Sequence, residues 1–174
     1  MKTPSRHLLA LFATMTLAAC ATAPRPSAGT ATLPLPEMIT VAVGPCFGFC
    51  PVYSTTITPD GVVRFDGQRH TAVLGVRMRS VGVVAYRALA RELTAFRPVS
   101  GTEAVVDCTA AVSDTSPFTV TWIEAAGHKT MATVQSGCPG GPGQALGELL
   151  RGLPDRLGTG EWAKQTTRPG TSRG

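Results

Sequence analysis

Residues 52–66, Val52-Tyr-Ser-Thr-Thr-Ile-Thr-Pro-Asp-Gly-Val-Val-Arg-Phe-Asp66, decide how this chain folds. Val52 to Thr58 alternates strictly, with Val52, Ser54, Thr56 and Thr58 on one face and Tyr53, Thr55 and Ile57 on the other. That two-residue period is the mark of a half-buried strand. Pro59-Asp60-Gly61 then supplies a turn, because Pro presets φ and Gly accepts a positive φ at no steric cost. Val62 to Asp66 returns as the antiparallel partner. A local hairpin of this kind needs more strands beside it and a cover on one face.

The flanking segments supply both. Upstream, Met38 to Gly44 is a short β-branched run that reads as a strand. Downstream, His70 to Arg79 reads as a fourth strand, with Val73 and Leu74 its best apolar positions. Ser80 is a suitable N-cap for a helix running to Phe96, where Pro98 stops it. Val81, Ala85, Leu89, Leu93 and Phe96 form its core stripe, while Arg87 and Arg91 lie elsewhere on its surface. Pro117 to Glu124 is a strong strand, and Ala125-Ala126-Gly127 turns it into another over His128 to Gln135. A second helix is expected over Gln144 to Leu157, carrying Leu146, Leu149, Leu150, Leu153 and Leu157 on one side. Gly147, Gly152 and Pro154 weaken it and should bend its last turn. The order is therefore ββββ-α-ββ-α. It predicts an α+β domain with an antiparallel sheet of about five to six strands and two helices on one face.

The chain has 174 residues, a hydrophobic content of 43% and a formal charge of +5. This suffices for one domain with a real core and is short for two. No basic cluster with interleaved aromatics is present, so nucleic acid is not an expected partner.

The chain opens with Lys2 and Arg6, then the apolar run Leu8 to Leu17, then Ala18-Ala19-Cys20. A run of about 10 residues is too short to cross a bilayer, which takes roughly 20. Ala19, Ala21 and Ala23 would also suit a plain secretory cleavage site. Leu17-Ala18-Ala19-Cys20 resembles the lipobox of bacterial lipoproteins. The resemblance implies a signal peptide over residues 1–19, lipidation of the Cys20 thiol and a membrane partner reached through the acyl chains. In Gram-negative bacteria an Asp after that cysteine commonly retains the protein in the inner membrane. Here it is Ala21, which by the same resemblance implies the outer membrane, facing the periplasm. Residues 20–36, rich in Ala, Thr and Pro, read as a disordered tether. Such a segment spans about 20 Å as a coil and about 50 Å as polyproline II. The folded domain is then expected over residues 37–162, with a disordered tail over 163–174. The tail's Lys164, Arg168 and Arg173 could touch anionic lipid or polymer, or simply be solvated.

With Cys20 acylated, Cys46, Cys50, Cys108 and Cys138 remain. An even set in an exported chain suggests two disulfides, with three possible connectivities. Cys46 and Cys50 can bridge only if their Cα atoms come within about 4.4–6.8 Å, and Gly48 permits the tight turn this needs. Closing so small a ring is worth about 2 kcal/mol, and a Cys108–Cys138 bridge about 3.5 kcal/mol. This pairing is favoured, and the crossed pairings stay open.

Pro45-Cys46-Phe47-Gly48-Phe49-Cys50-Pro51-Val52-Tyr53, followed by Asp60-Gly61, resembles a family of bacterial envelope domains of unknown function. Its mark is Cys-Phe-Gly-x-Cys-Pro-x-Tyr before a hairpin with a central Asp-Gly. The resemblance covers roughly residues 38–162. It implies a fold type and an envelope location, and carries no catalytic residues.

Chemistry is sparsely signalled. Cys46 and Cys50 are three residues apart where a thioredoxin-type site has two, and no His or Lys lies near them in sequence to lower a thiol pKa. A four-cysteine zinc site is disfavoured because exported thiols oxidise, and haem attachment would need C-x-x-C-H. No cofactor or metal is expected. His70 and His128 are candidate bases with no nucleophile motif beside them, and Glu103, Asp107 and Asp114 bracket a loop-like region around Cys108. Cys138 to Gly143 is glycine-rich before a helix but lacks the Lys and Ser/Thr of a phosphate loop. Trp122 and Trp162 are expected to fill the core. The resulting expectation is a non-enzymatic, lipid-anchored envelope domain that binds an envelope protein or polymer or plays a structural part. The alternatives are a periplasmic thiol-disulfide protein using Cys46 and Cys50, or a weakly marked hydrolase.

Overall fold

A strand buried on one face and joined by ladders on both sides organises the domain. In this computed structural model, which describes residues 37–110 and 113–166, that strand is β1, Met38–Val43. The signal peptide expected over 1–19, and Cys20 with the tether expected over 20–36, lie outside the described residues, as do residues 167–174 of the expected tail.

β1 pairs antiparallel with β2, Val52–Ile57, on one side and with β6, Pro117–Ile123, on the other. β2 continues through the Pro59-Asp60-Gly61 turn into β3, Val62–Arg69, as the opening stretch predicts. β4, Gly75–Ser80, pairs with β3 at one edge, and β7, Lys129–Gln135, follows β6. The sheet order is β4-β3-β2-β1-β6-β7-β5, seven strands among the described residues.

Alternation decides the two faces. Ile39, Val41 and Val43 of β1 point inward with Ile57, Val63, Phe118, Val120, Trp122, Ala132 and Val134. Tyr86, Leu89 and Leu93 of helix α1, Gly82–Leu93, join this core. So do Leu146 and Leu150 of α2, Gly141–Arg151, and Leu153 of α3, Leu153–Arg156. These helices therefore cover one face, as expected of an α+β domain. The outer face carries small polar side chains, with hydroxyl pairs Thr40–Thr56 at 2.9 Å and Thr119–Thr133 at 3.3 Å.

Several expectations need correction. β5, Glu103–Val105, was not anticipated and pairs with β7 in parallel, so the sheet is mixed. The fourth strand starts at Gly75, not His70, and all its residues are exposed. His70 to Leu74 instead turns against residues 162–166. Ala72 N–H donates to Lys164 O, Val73 N–H to Trp162 O, and Thr166 N–H to His70 O. The chain is thus hydrogen-bonded through Thr166, beyond the boundary expected at 162. Ser80 ends β4 and caps nothing; the residue before α1 is Val81, whose N–H donates to Gly61 O. A 3-10 turn, Thr94–Phe96, completes that helix. The second helix breaks at Gly152 into α2 and α3, and a short α4, Gly160–Ala163, follows. Pro154 sits in the first turn of α3, where its missing N–H costs nothing. Trp122 is buried in the core, whereas Trp162 is half-buried on α4, its ring 5.9 Å from that of Phe65.

Candidate functional site

The β1–β2 connection is a short loop closed by a disulfide. Cys46 and Cys50 are joined by a disulfide with their Cα atoms 5.7 Å apart. Gly48 takes φ +142°, a region that L side chains rarely adopt, and its N–H donates to Cys46 O at 2.9 Å. Gly44 N–H to Pro117 O ties the loop's entry to β6. The ring thus closed projects its aromatic side chains outward. Phe47 is 90% exposed and Phe49 41%. Phe49 meets the His70 ring edge-to-face at 5.3 Å, and His70 itself holds φ +59° at the end of β3. Leu74, in the same β3–β4 connection, is 64% exposed.

The second disulfide, Cys108–Cys138, has its Cα atoms 5.5 Å apart and joins the chain beyond β5 to the chain beyond β7. Gly143 N–H donates to Asp107 O, and a Cβ on Gly143 would stand 2.7 Å from one sulfur and 2.9 Å from the other. Glycine at this position is what lets α2 start against the bridge. The ladder Val43–Phe118–Val134 places both disulfides at the same end of the sheet.

The opposite end holds a group of side chains that no sequence motif announced. Glu37 is buried, and Arg97 reaches both its carboxylate at 2.7 Å and that of Glu124 at 3.1 Å. Tyr86 O–H donates to Glu37 O at 2.7 Å, and the Arg97 guanidinium lies 5.7 Å from the centre of the Trp122 ring. Burial raises the Glu37 pKa, partly offset by Arg97. The arrangement secures the point where the chain enters β1. Loss of water around half-buried Tyr53, helped by nearby Asp155, pushes its phenol up to about 12. Asp60 is held below its ordinary value by Thr58 O–H and Val62 N–H, which closes the hairpin turn.

The other candidate residues are scattered. His70 follows β3 at the disulfide end, and exposed His128 lies in the β6–β7 turn at the Glu37 end. Glu103 begins β5, Asp107 binds α2 through its backbone, and Asp114, at φ +61°, contacts Ser113. No cluster of three or more potential metal ligands occurs among the described residues. The glycine-rich stretch before α2 serves helix entry beside the disulfide.

A family model described as a domain of unknown function, DUF6438, matches residues 37–153. No curated protein matches the chain.

Proposed function

We propose, from the premise that this chain belongs to the DUF6438 domain family, that it is a lipid-anchored binding domain of the bacterial envelope whose contact element is the Cys46–Cys50 loop. The observation that carries this reading is Phe47, 90% exposed on a ring closed by a disulfide. A large apolar side chain held in water is unfavourable by about 1.5–3 kcal/mol relative to burying it. Held on a closed loop, it has already lost much of the freedom that binding would otherwise remove. Two disulfides suit a compartment outside the reducing cytosol, in agreement with the lipobox resemblance of Leu17 to Cys20. The separation of His70 from His128, and of each from a nucleophile motif, favours binding over hydrolysis.

Three measurements test this. Acyl labelling and membrane fractionation of the Cys20→Ala chain should show loss of both label and membrane association. A photoreactive residue at position 47 should give a specific adduct; absence of any adduct sinks the loop as the contact element. Non-reducing peptide mass spectrometry should recover Cys46–Cys50 and Cys108–Cys138 oxidised. A reduced Cys46/Cys50 pair would support thiol-disulfide exchange instead.

A further inference from the structure

The two edges of the sheet are not alike. β5 has three residues, too few to template another strand, whereas β4, Gly75–Ser80, has six, all of them exposed. Its register with β3 runs unbroken, and no Pro interrupts it. Among the described residues the backbone of β4 bonds to β3 and to no other segment, so alternate residues direct N–H and C=O away from the sheet. The side chains sort by face. Arg77 and Arg79 stand opposite buried Phe65 and Val63, on the face that carries the core, and Val76 and Met78 stand opposite Asp66 and Arg64 on the outer face. Val76 is 41% exposed and Met78 62%. Arg79 is braced by Gly158 O and the Trp162 ring, and Arg77 Nη1 reaches the adjacent Val76 O at 3.0 Å. Neither meets a carboxylate among the described residues. Asp66, opposite Val76, is paired with Arg64 at 3.2 Å.

An open edge gains hydrogen bonds when an extended segment adds to it, and alternate side chains decide which segment fits. A strand laid along β4 sets one row of its side chains beside Val76 and Met78 and the other beside Arg77 and Arg79. Apolar residues suit the first row and carboxylates the second. A second copy of β4 is a poor match. Paired antiparallel and centred on Met78, two copies place Arg77 opposite Arg79 twice; centred on Arg77, they place it opposite itself. Like charges directly opposed are destabilising. The arginines therefore work against self-pairing and in favour of an acidic strand, the two halves of specificity. We propose that β4 is a docking edge that takes an extended acidic segment of a partner protein as an additional strand of the sheet. This edge works independently of the Cys46–Cys50 loop.

The test uses the full chain and a fluorescent synthetic peptide of alternating Val and Glu, matched in length to β4. Anisotropy should show binding that weakens with added salt. A Val–Lys peptide should bind at least about tenfold more weakly. N-methylating the Val amides or the Glu amides blocks one edge of the peptide or the other, and one of the two should abolish binding. Hydrogen exchange over residues 75–80 should slow when the Val–Glu peptide is bound. Arg77→Glu, shown to be folded by circular dichroism, should lose at least about tenfold in affinity, and Phe47→Ser should bind as wild type does. No binding, equal binding of the Val–Lys peptide, full binding of both methylated peptides, or unchanged binding by Arg77→Glu would overturn the proposal. Loss of binding in Phe47→Ser would move the peptide to the loop and overturn it too. A dimer of the free chain with exchange already slowed over 75–80 would assign the edge to a second copy, and likewise overturn it.

Discussion

Arg97 is the residue whose loss should be felt most at the entry of the domain. It joins Glu37 to Glu124 and lies against Trp122, and its side chain is 21% exposed. Arg97→Ala should destabilise the fold by about 2 kcal/mol, less than a fully buried pair would lose. Glu37 makes this pH-dependent in a definite direction. Its folded pKa lies above the ordinary 4.5, so the folded state binds the proton more tightly than the unfolded chain. That contribution is complete below pH 4.5 and is lost as pH rises through the raised value. Urea midpoints measured across this range should show the fall in wild type, and Glu37→Gln should flatten it. None of this was legible in the sequence, because Glu37, Arg97 and Glu124 are distant in the chain and no local period links them. Tyr86 escaped for a similar reason: it stands one residue beyond Ala85 in the expected stripe, and only the tertiary bond to Glu37 O shows its role.

Among the elements, the hairpin was legible and the edges were not. The alternation of Val52 to Thr58 and the Asp60-Gly61 turn each signal the same structure, and burial on one face keeps the register. β4 has no buried face, so nothing in Gly75 to Ser80 marks its start, and Ser80 is equally good as a strand end or a cap. β5 is three residues long and is recruited by β7, below the length at which a period is visible. The turn also sets where α1 begins. A Cβ on Gly61, at φ +81°, would collide with the Gly82 backbone. Gly61→Ala should therefore cost about 2 kcal/mol or more by thermal denaturation, well above an ordinary turn substitution. The disulfides should behave unequally. Replacing Cys108 and Cys138 by Ser should cost about 3.5 kcal/mol, because their loop is long. The same change at Cys46 and Cys50 should cost about 2 kcal/mol, because the ring it opens is small.

For the whole molecule, the layout was readable as a class and not as a map. Segregated strand pairs and two apolar helical stripes specify an α+β domain covered on one face. The central place of β1 is invisible locally, since it depends on β6 arriving beside it from far along the chain. That placement has a mechanical meaning. The chain enters at Glu37, and the disulfide-closed loop leaves from the other end of the same strand. A pull between these two points runs along β1, perpendicular to the hydrogen bonds that join it to β2 and β6. Tension between the two points is carried by the covalent backbone of β1 itself, and the flanking ladders hold that strand straight without bearing the load. A domain held at both places would transmit tension through its stiffest line.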